Sequence, residues 1–307
     1  MSVSLRTLAR ALIPAAALLA LPGCAAAETA VASASAPAAA PAGPALWKVA
    51  DADTTIYLFG TVHVLPASTT WFDERVSRAL AASDSIVTEL PPSALADPAS
   101  QKTIMALAML PPEKSLRAML SPEQRATYEA ALAKLKLPPE AFDRFEPWFA
   151  AMTLSVLPLM QNGYQLDKGV EKVLESKAAP TTERGAVETL EGQMKLFDEL
   201  PPEAQVKFLA STAANLDKVV PTLDAMVAAW QAGDADRLAD LMNASMDDPA
   251  LADRLLYARN RNWAQWIDDR LDRPGTVFMA VGAGHLAGKQ SVQDALRQRG
   301  IKSVRVR

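Results

Sequence analysis

Cysteine occurs once in the 307 residues, at Cys24, so no disulfide can close within the chain and the fold must be held by its core alone. Histidine occurs only twice, at His63 and His285, which leaves few places for imidazole chemistry near neutral pH. After the N-terminal apolar stretch there is no second hydrophobic run long enough to span a bilayer. Neither a Gly-x-x-x-x-Gly-Lys-Ser/Thr loop nor a complete Gly-x-Gly-x-x-Gly is present. Gly282-Ala283-Gly284 stands alone and Lys289 is isolated, so no nucleotide is expected to bind. Serine hydrolase chemistry lacks its Gly-x-Ser-x-Gly elbow.

What is there begins with Arg6 and Arg10, the apolar stretch Ala11 to Leu21, and Pro22-Gly23-Cys24 followed by small residues. This reads as a bacterial export signal over residues 1–23, too short and wrongly flanked for a transmembrane helix. Leu21-Pro22-Gly23-Cys24 resembles a lipobox, which would make Cys24 the lipid attachment point of a membrane-anchored lipoprotein facing the periplasm. Ordinary cleavage around Ala25 to Ala27, releasing a soluble periplasmic protein, is the alternative. Without residues 1–23 the chain keeps 29 of its 31 basic residues against 35 acidic ones, a formal charge of -6, which argues against nucleic acid as a partner. Residues 24–45 are dominated by Ala, Pro, Ser and Gly, a tether with too little large apolar side chain to offset the entropy of ordering.

Residues 46–307 are expected to form one α/β domain. Trp47-Lys48-Val49 and Thr55 to Phe59 flank Asp51-Ala52-Asp53, the pattern of a hairpin. Ser85 to Leu90, Val277 to Val281 and Ile301 to Val306 are further short β-branched or apolar runs that predict core strands. Between them, from about Pro98 to Leu271, nearly everything reads as helix, an insertion that splits a central mixed sheet. Pro122, Pro147 and Pro202 sit where a first helical turn tolerates proline, and Ser121 is placed to cap. The last helix carries Leu251, Leu255, Leu256, Trp263, Trp266, Ile267 and Leu271 at helical spacing before Pro274-Gly275 stops it.

Two segments resemble each other: Ile56 to His63 and Phe278 to His285 each run as a strand followed by Gly-x-x-His, with Gly60 and Gly282 at corresponding places. A glycine there lets the backbone turn at the carboxyl end of a buried strand, and the histidine then reaches the crevice where α/β proteins place ligands. Two such loops on neighbouring strands would bring the imidazoles together. Glu89, at the end of another strand run, arrives the same way. Two histidines and a carboxylate match an open divalent-metal site, whereas either histidine alone would more often be a hydrogen-bonded core residue. Arg259 and Asn260 lie in an otherwise apolar helix and are costly to bury unless paired. Arg259 would hold Glu89 or an anionic substrate group, or else lie on the helix surface. Glu188 and Gln193 read as structural supports of the crevice.

Phe59-Gly60-Thr61-Val62-His63, Val87-Thr88-Glu89-Leu90, Glu188-Thr189 with Gln193, Arg259 to Trp263 and Gly282-Ala283-Gly284-His285 occur in the order of the TraB/GumN family, which resembles the Tiki-type metalloproteases. The resemblance covers about Leu46 to Arg307. It implies a divided α/β core with a helical insertion and a site made of His63, Glu89 and His285, supported by Arg259, Asn260, Gly60 and Gly282. It also implies a divalent ion, manganese, cobalt or zinc, held by His63, His285 and Glu89. Pro91 departs from the pattern, because an acid is expected two residues beyond the glutamate.

The leading expectation is therefore a metal-dependent hydrolase of the cell envelope, a protease or peptidase acting on a peptide or other envelope substrate. The other reading is a non-catalytic envelope protein that binds a peptide, a polysaccharide fragment or a haem-like ligand in the same crevice.

Overall fold

The computed structural model describes residues 43–243 and 248–307. The expected export signal over residues 1–23, Cys24 and most of the Ala/Pro-rich stretch lie outside the described residues. The fold is mixed α/β. Its strands are β1 (Leu46–Ala50), β2 (Thr54–Thr61), β3 (Leu65–Pro66), β4 (Ser85–Thr88), β5 (Tyr164–Gln165), β6 (Glu183–Ala186), β7 (Gly275–Gly282) and β8 (Ser303–Arg305). The helices are α1 (Glu74–Ala81), α2 (Pro98–Ala108), α3 (Pro122–Lys134), α4 (Pro147–Gln161), α5 (Val170–Lys177), α6 (Leu190–Asp198), α7 (Pro202–Ala214), α8 (Val219–Gln231) and α9 (Ala235–Asn243). A short turn, Pro249–Ala252, and a π-turn, Asp253–Tyr257, lead into α10 (Ala258–Leu271), and α11 (Val292–Gln298) follows.

Local chemistry accounts for most of these boundaries. The Asp51 side chain accepts hydrogen bonds from the backbone N–H groups of Asp53 (3.1 Å) and Thr54 (2.8 Å), closing the turn of the β1–β2 hairpin. Ser121 and Gln124 form a reciprocal capping box at the start of α3. Pro122, Pro147 and Pro202 open their helices, where the missing N–H costs nothing.

The six-stranded sheet has the order β6-β4-β7-β2-β1-β8, parallel from β6 to β2 and antiparallel across β2-β1-β8. Alternation along the strands divides the core. Phe59, Ile86, Phe278 and Ala280 face a large apolar body with the buried helix α4, whereas Ile56, Leu58, Val87, Val277 and Met279 face Trp263 and Ile267 of α10 and Leu296 of α11. Strand β7 is fully buried from Val277 to Val281, as a central parallel strand covered on both faces should be.

Two expectations need correction. The stretch from 98 to 271 is not helical throughout, because β6 and the two-residue β5 fall inside it. Glu183-Arg184-Gly185-Ala186 has no β-branched or large apolar residue; β6 becomes a strand only through its ladder with β4 at the sheet edge. Nor is the helix ending at Leu271 the last one, since α11 packs beyond β7. Among the described residues no helix is long and apolar enough to cross a membrane.

Candidate functional site

The parallel strands β4, β7 and β2 end side by side, with Thr88 paired to Ala280 and Thr61 paired to Gly282. Glu89 follows β4 directly, His63 comes two residues after β2, and His285 sits in the short 3-10 turn Ala283–Leu286 after β7. The two Gly-x-x-His segments thus lie on adjacent parallel strands, offset by one residue because Gly60 pairs with Val281. Neither glycine has a positive φ. Gly60 is needed for close approach instead, since a Cβ there would meet the Ala283 Cα at 2.9 Å.

Arg259, in the first turn of α10, is the centre of the arrangement and is only 6% exposed. Its Nη2 donates to Glu89 Oε2 at 2.6 Å and to Glu188 Oε2 at 2.9 Å, and its Nε donates to Glu188 Oε1 at 2.8 Å. Its Nη1 donates to the Leu255 carbonyl in the π-turn (3.0 Å) and faces His285 Nε2 at 3.0 Å. A guanidinium has no acceptor, so His285 Nε2 must accept, and the ring proton then sits on Nδ1, which donates to Asn260 Oδ1 at 2.6 Å. Asn260 Nδ2 in turn donates to the Gln290 carbonyl. Gln193 Nε2 bridges Glu89 (2.9 Å) and Glu188 (2.8 Å), and the Trp263 indole N–H donates to Glu188 Oε1. The Gly282 N–H donates to Glu89 Oε1 at 2.7 Å. Glu188 and Gln193, read from sequence as supports, are working members of this network.

The charges follow. Burial opposes ionisation of Glu89, but Arg259 and the backbone N–H of Gly282 hold its pKa down at about 2. His285 is fully buried beside a fixed cation, and its pKa falls to about 3, so the imidazole is neutral at physiological pH. Burial also works against the Arg259 charge, yet Glu89 and Glu188 outweigh it and raise its pKa.

His63 has different surroundings. Its Nδ1 pairs with the Glu171 carboxylate, and its side chain is 17% exposed. No hydrogen bond or ion pair among the described residues engages its Nε2. Burial lowers the His63 pKa, but Glu171 and Glu89 together raise it above its ordinary value, while the Glu171 pKa is lowered against burial by His63. Glu171 gave no sequence signal of its own, because Val170 to Lys177 reads as an ordinary amphipathic helix. The mark that could have pointed to it is Gly169. The backbone of α5 docks on the His63 loop there, with the Val170 N–H donating to the Val62 carbonyl at 3.0 Å, and a Cβ on Gly169 would collide with the His63 carbonyl.

His63 also lines a cavity of about 130 Å³ together with Thr88, Glu89, Leu90, Pro91, Pro92, Leu95, Leu166, Glu171, Lys172, Glu175 and Gln193. The structure therefore brings His63, Glu89, His285, Arg259 and Asn260 to one end of the sheet. It does not present the first three as a common set of ligands. The His285 Nε2 lone pair is taken by Arg259, Glu89 Oε2 carries two donors, and the guanidinium lies where an ion shared by Glu89 and His285 would have to sit. Among the described residues, no group of three or more His, Cys, Asp or Glu side chains is arranged to hold a metal ion. As folded, the donor set does not fit the divalent ion expected from His63, His285 and Glu89.

The profile of one protein family, described as the TraB/PrgY/gumN family, matches residues 45–305. The chain belongs to the TraB/PrgY/gumN family. No curated protein and no solved structure matches it. The matched stretch includes every residue of the Arg259 network and the His63–Glu171 pair.

Removing Arg259 leaves the buried Glu89 and the part-buried Glu188 beside each other without a cation. Arg259→Ala is expected to cost about 3–5 kcal/mol in denaturant unfolding, and Arg259→Lys to restore only part, because an ammonium cannot fork between two carboxylates. A change below about 1 kcal/mol would show that the network is not structural.

The His63 ring is expected to titrate above 6.5 in an NMR pH series, because its charged form is favoured in the fold. Its stabilising contribution is complete below pH 6.5 and is lost as pH rises through the folded pKa. In Glu171→Gln the two raising influences of that carboxylate vanish, so the titration should move down. An unmoved titration would contradict the pairing.

Proposed function

We propose that the chain is a hydrolase of the cell envelope in which His63 transfers the proton and Glu171 holds its tautomer. The observation that carries this is the His63 ring itself, with Nδ1 on a carboxylate, Nε2 left without a protein partner among the described residues, and the side chain lining a cavity. That is the arrangement of an oriented general base. His63 Nε2 takes a proton from a water in the cavity as the water oxygen bonds to the substrate carbonyl carbon. The imidazolium is stabilised by Glu171. When the bond to the leaving group breaks, the same proton passes to that group. Lys172, which also lines the cavity, is the cation available to the developing oxyanion. Arg259, Glu89, Glu188 and His285 form a hydrogen-bonded network that holds the neighbouring strand ends in place.

A peptide as the substrate class rests on the likeness to Tiki-type proteases. Envelope placement, with a lipid on Cys24, rests on the composition of residues 1–23 and the lipobox-like Leu21 to Cys24. Cys24→Ala is expected to move the chain from the membrane to the soluble fraction; unchanged fractionation would instead favour ordinary cleavage near Ala25.

The decisive experiment measures product formation by the mature chain on a peptide and ester panel, with and without a chelator. Expected are turnover that survives chelation, loss of turnover in His63→Ala, and a fall of about 10²–10³-fold in Glu171→Gln. Turnover lost on chelation and restored by manganese, cobalt or zinc would overturn the metal-free mechanism. Saturable binding without product would replace the hydrolase by a binding protein.

A further inference from the structure

The cavity beside His63 has one side built for a particular kind of group. Leu90, Pro91, Pro92, Leu95 and Leu166 supply this wall. Proline has no N–H to offer, and two of the wall's carbonyls already accept hydrogen bonds: the Thr88 hydroxyl donates to the Leu90 carbonyl at 2.7 Å, and the Ala94 N–H donates to the Pro91 carbonyl at 2.9 Å. A substrate group entering here meets mainly hydrocarbon on that side. The fixed φ of two consecutive prolines also makes the wall stiff.

Size narrows the class further. At about 130 Å³ the cavity is slightly smaller than an apolar void known to hold one benzene, a volume of about 150 Å³. One isobutyl or phenyl group fits, whereas an indole is too large and a methyl group leaves most of the space empty.

We infer that this cavity is the specificity pocket of the site, taking a single leucyl- or phenylalanyl-sized side chain of a peptide next to the bond presented to His63. This rests on the hydrolase reading above, so the test separates the two. Leu95 is part-buried on the wall, and a larger side chain there takes up cavity volume while His63, Glu171 and Arg259 themselves stay unsubstituted.

Toluene binding to the mature chain, followed by ligand-observed NMR, reports the pocket without any chemistry. One saturable site is expected, lost in Leu95→Trp and in the independent variant Leu166→Trp, with folding of each checked by circular dichroism. N-acetyl aminoacyl p-nitrophenyl esters differing in one side chain then report specificity. Leucyl and phenylalanyl esters are expected to exceed glycyl and tryptophanyl esters by about 10–100-fold in kcat/KM, a margin set by burial of one apolar side chain. Leu95→Ala should shift the preference toward the tryptophanyl ester. Toluene binding without ester turnover would sink the hydrolase reading and leave the pocket standing. Absence of toluene binding, or turnover indifferent to the side chain, would overturn the pocket.

Discussion

A buried guanidinium with every donor committed is the constraint on which the rest of the site depends. Arg259 could not be withdrawn from water unless its charge and hydrogen-bonding capacity were met, and Glu89, Glu188, the Leu255 carbonyl and His285 meet them. These partners come from the residue following β4, the loop before α6, the π-turn and the turn after β7. One side chain therefore locks four separate parts of the chain to one another. Its chemistry also explains why Glu89 stays ionised and His285 stays neutral in the same enclosed volume.

The two histidines, alike in sequence, are unlike in environment. His285 is sealed, its ring tilted against that of Trp263 with 4.3 Å between centroids, and serves as an acceptor for Arg259. His63 is paired to Glu171 on one ring nitrogen and borders a cavity. Their strands are parallel neighbours, so the repeat in sequence is real in space. The difference comes from what packs above each loop: α10 covers His285, and α5 reaches only one side of His63.

Much of the fold could be read from residue patterns. The hairpin around Asp51, the buried run Val277 to Val281 and the prolines opening α3, α4 and α7 each express a local preference that the tertiary structure keeps. Strand β6 was illegible because Glu183 to Ala186 has no preference for extended backbone and owes its conformation to the free edge of β4. In the site, His63, Glu89, His285, Arg259 and Asn260 were legible as companions because residues of those types, placed at strand ends or in an apolar helix, need polar partners. Glu171 was not, since an acid in the first turn of a short helix is ordinary, and only the glycine contact at Gly169 brings it to His63.

The sequence by itself determined that an α/β core would carry two Gly-x-x-His loops and a strand-end glutamate to one place, because strand and turn chemistry are local and parallel strands share an edge. Only the tertiary structure decided what those groups do to one another. Two imidazoles and a carboxylate are equally a set of metal ligands or a set of hydrogen-bond partners. The packing of α10 on the sheet puts Arg259 between Glu89 and His285, so these two meet as hydrogen-bond partners of its guanidinium.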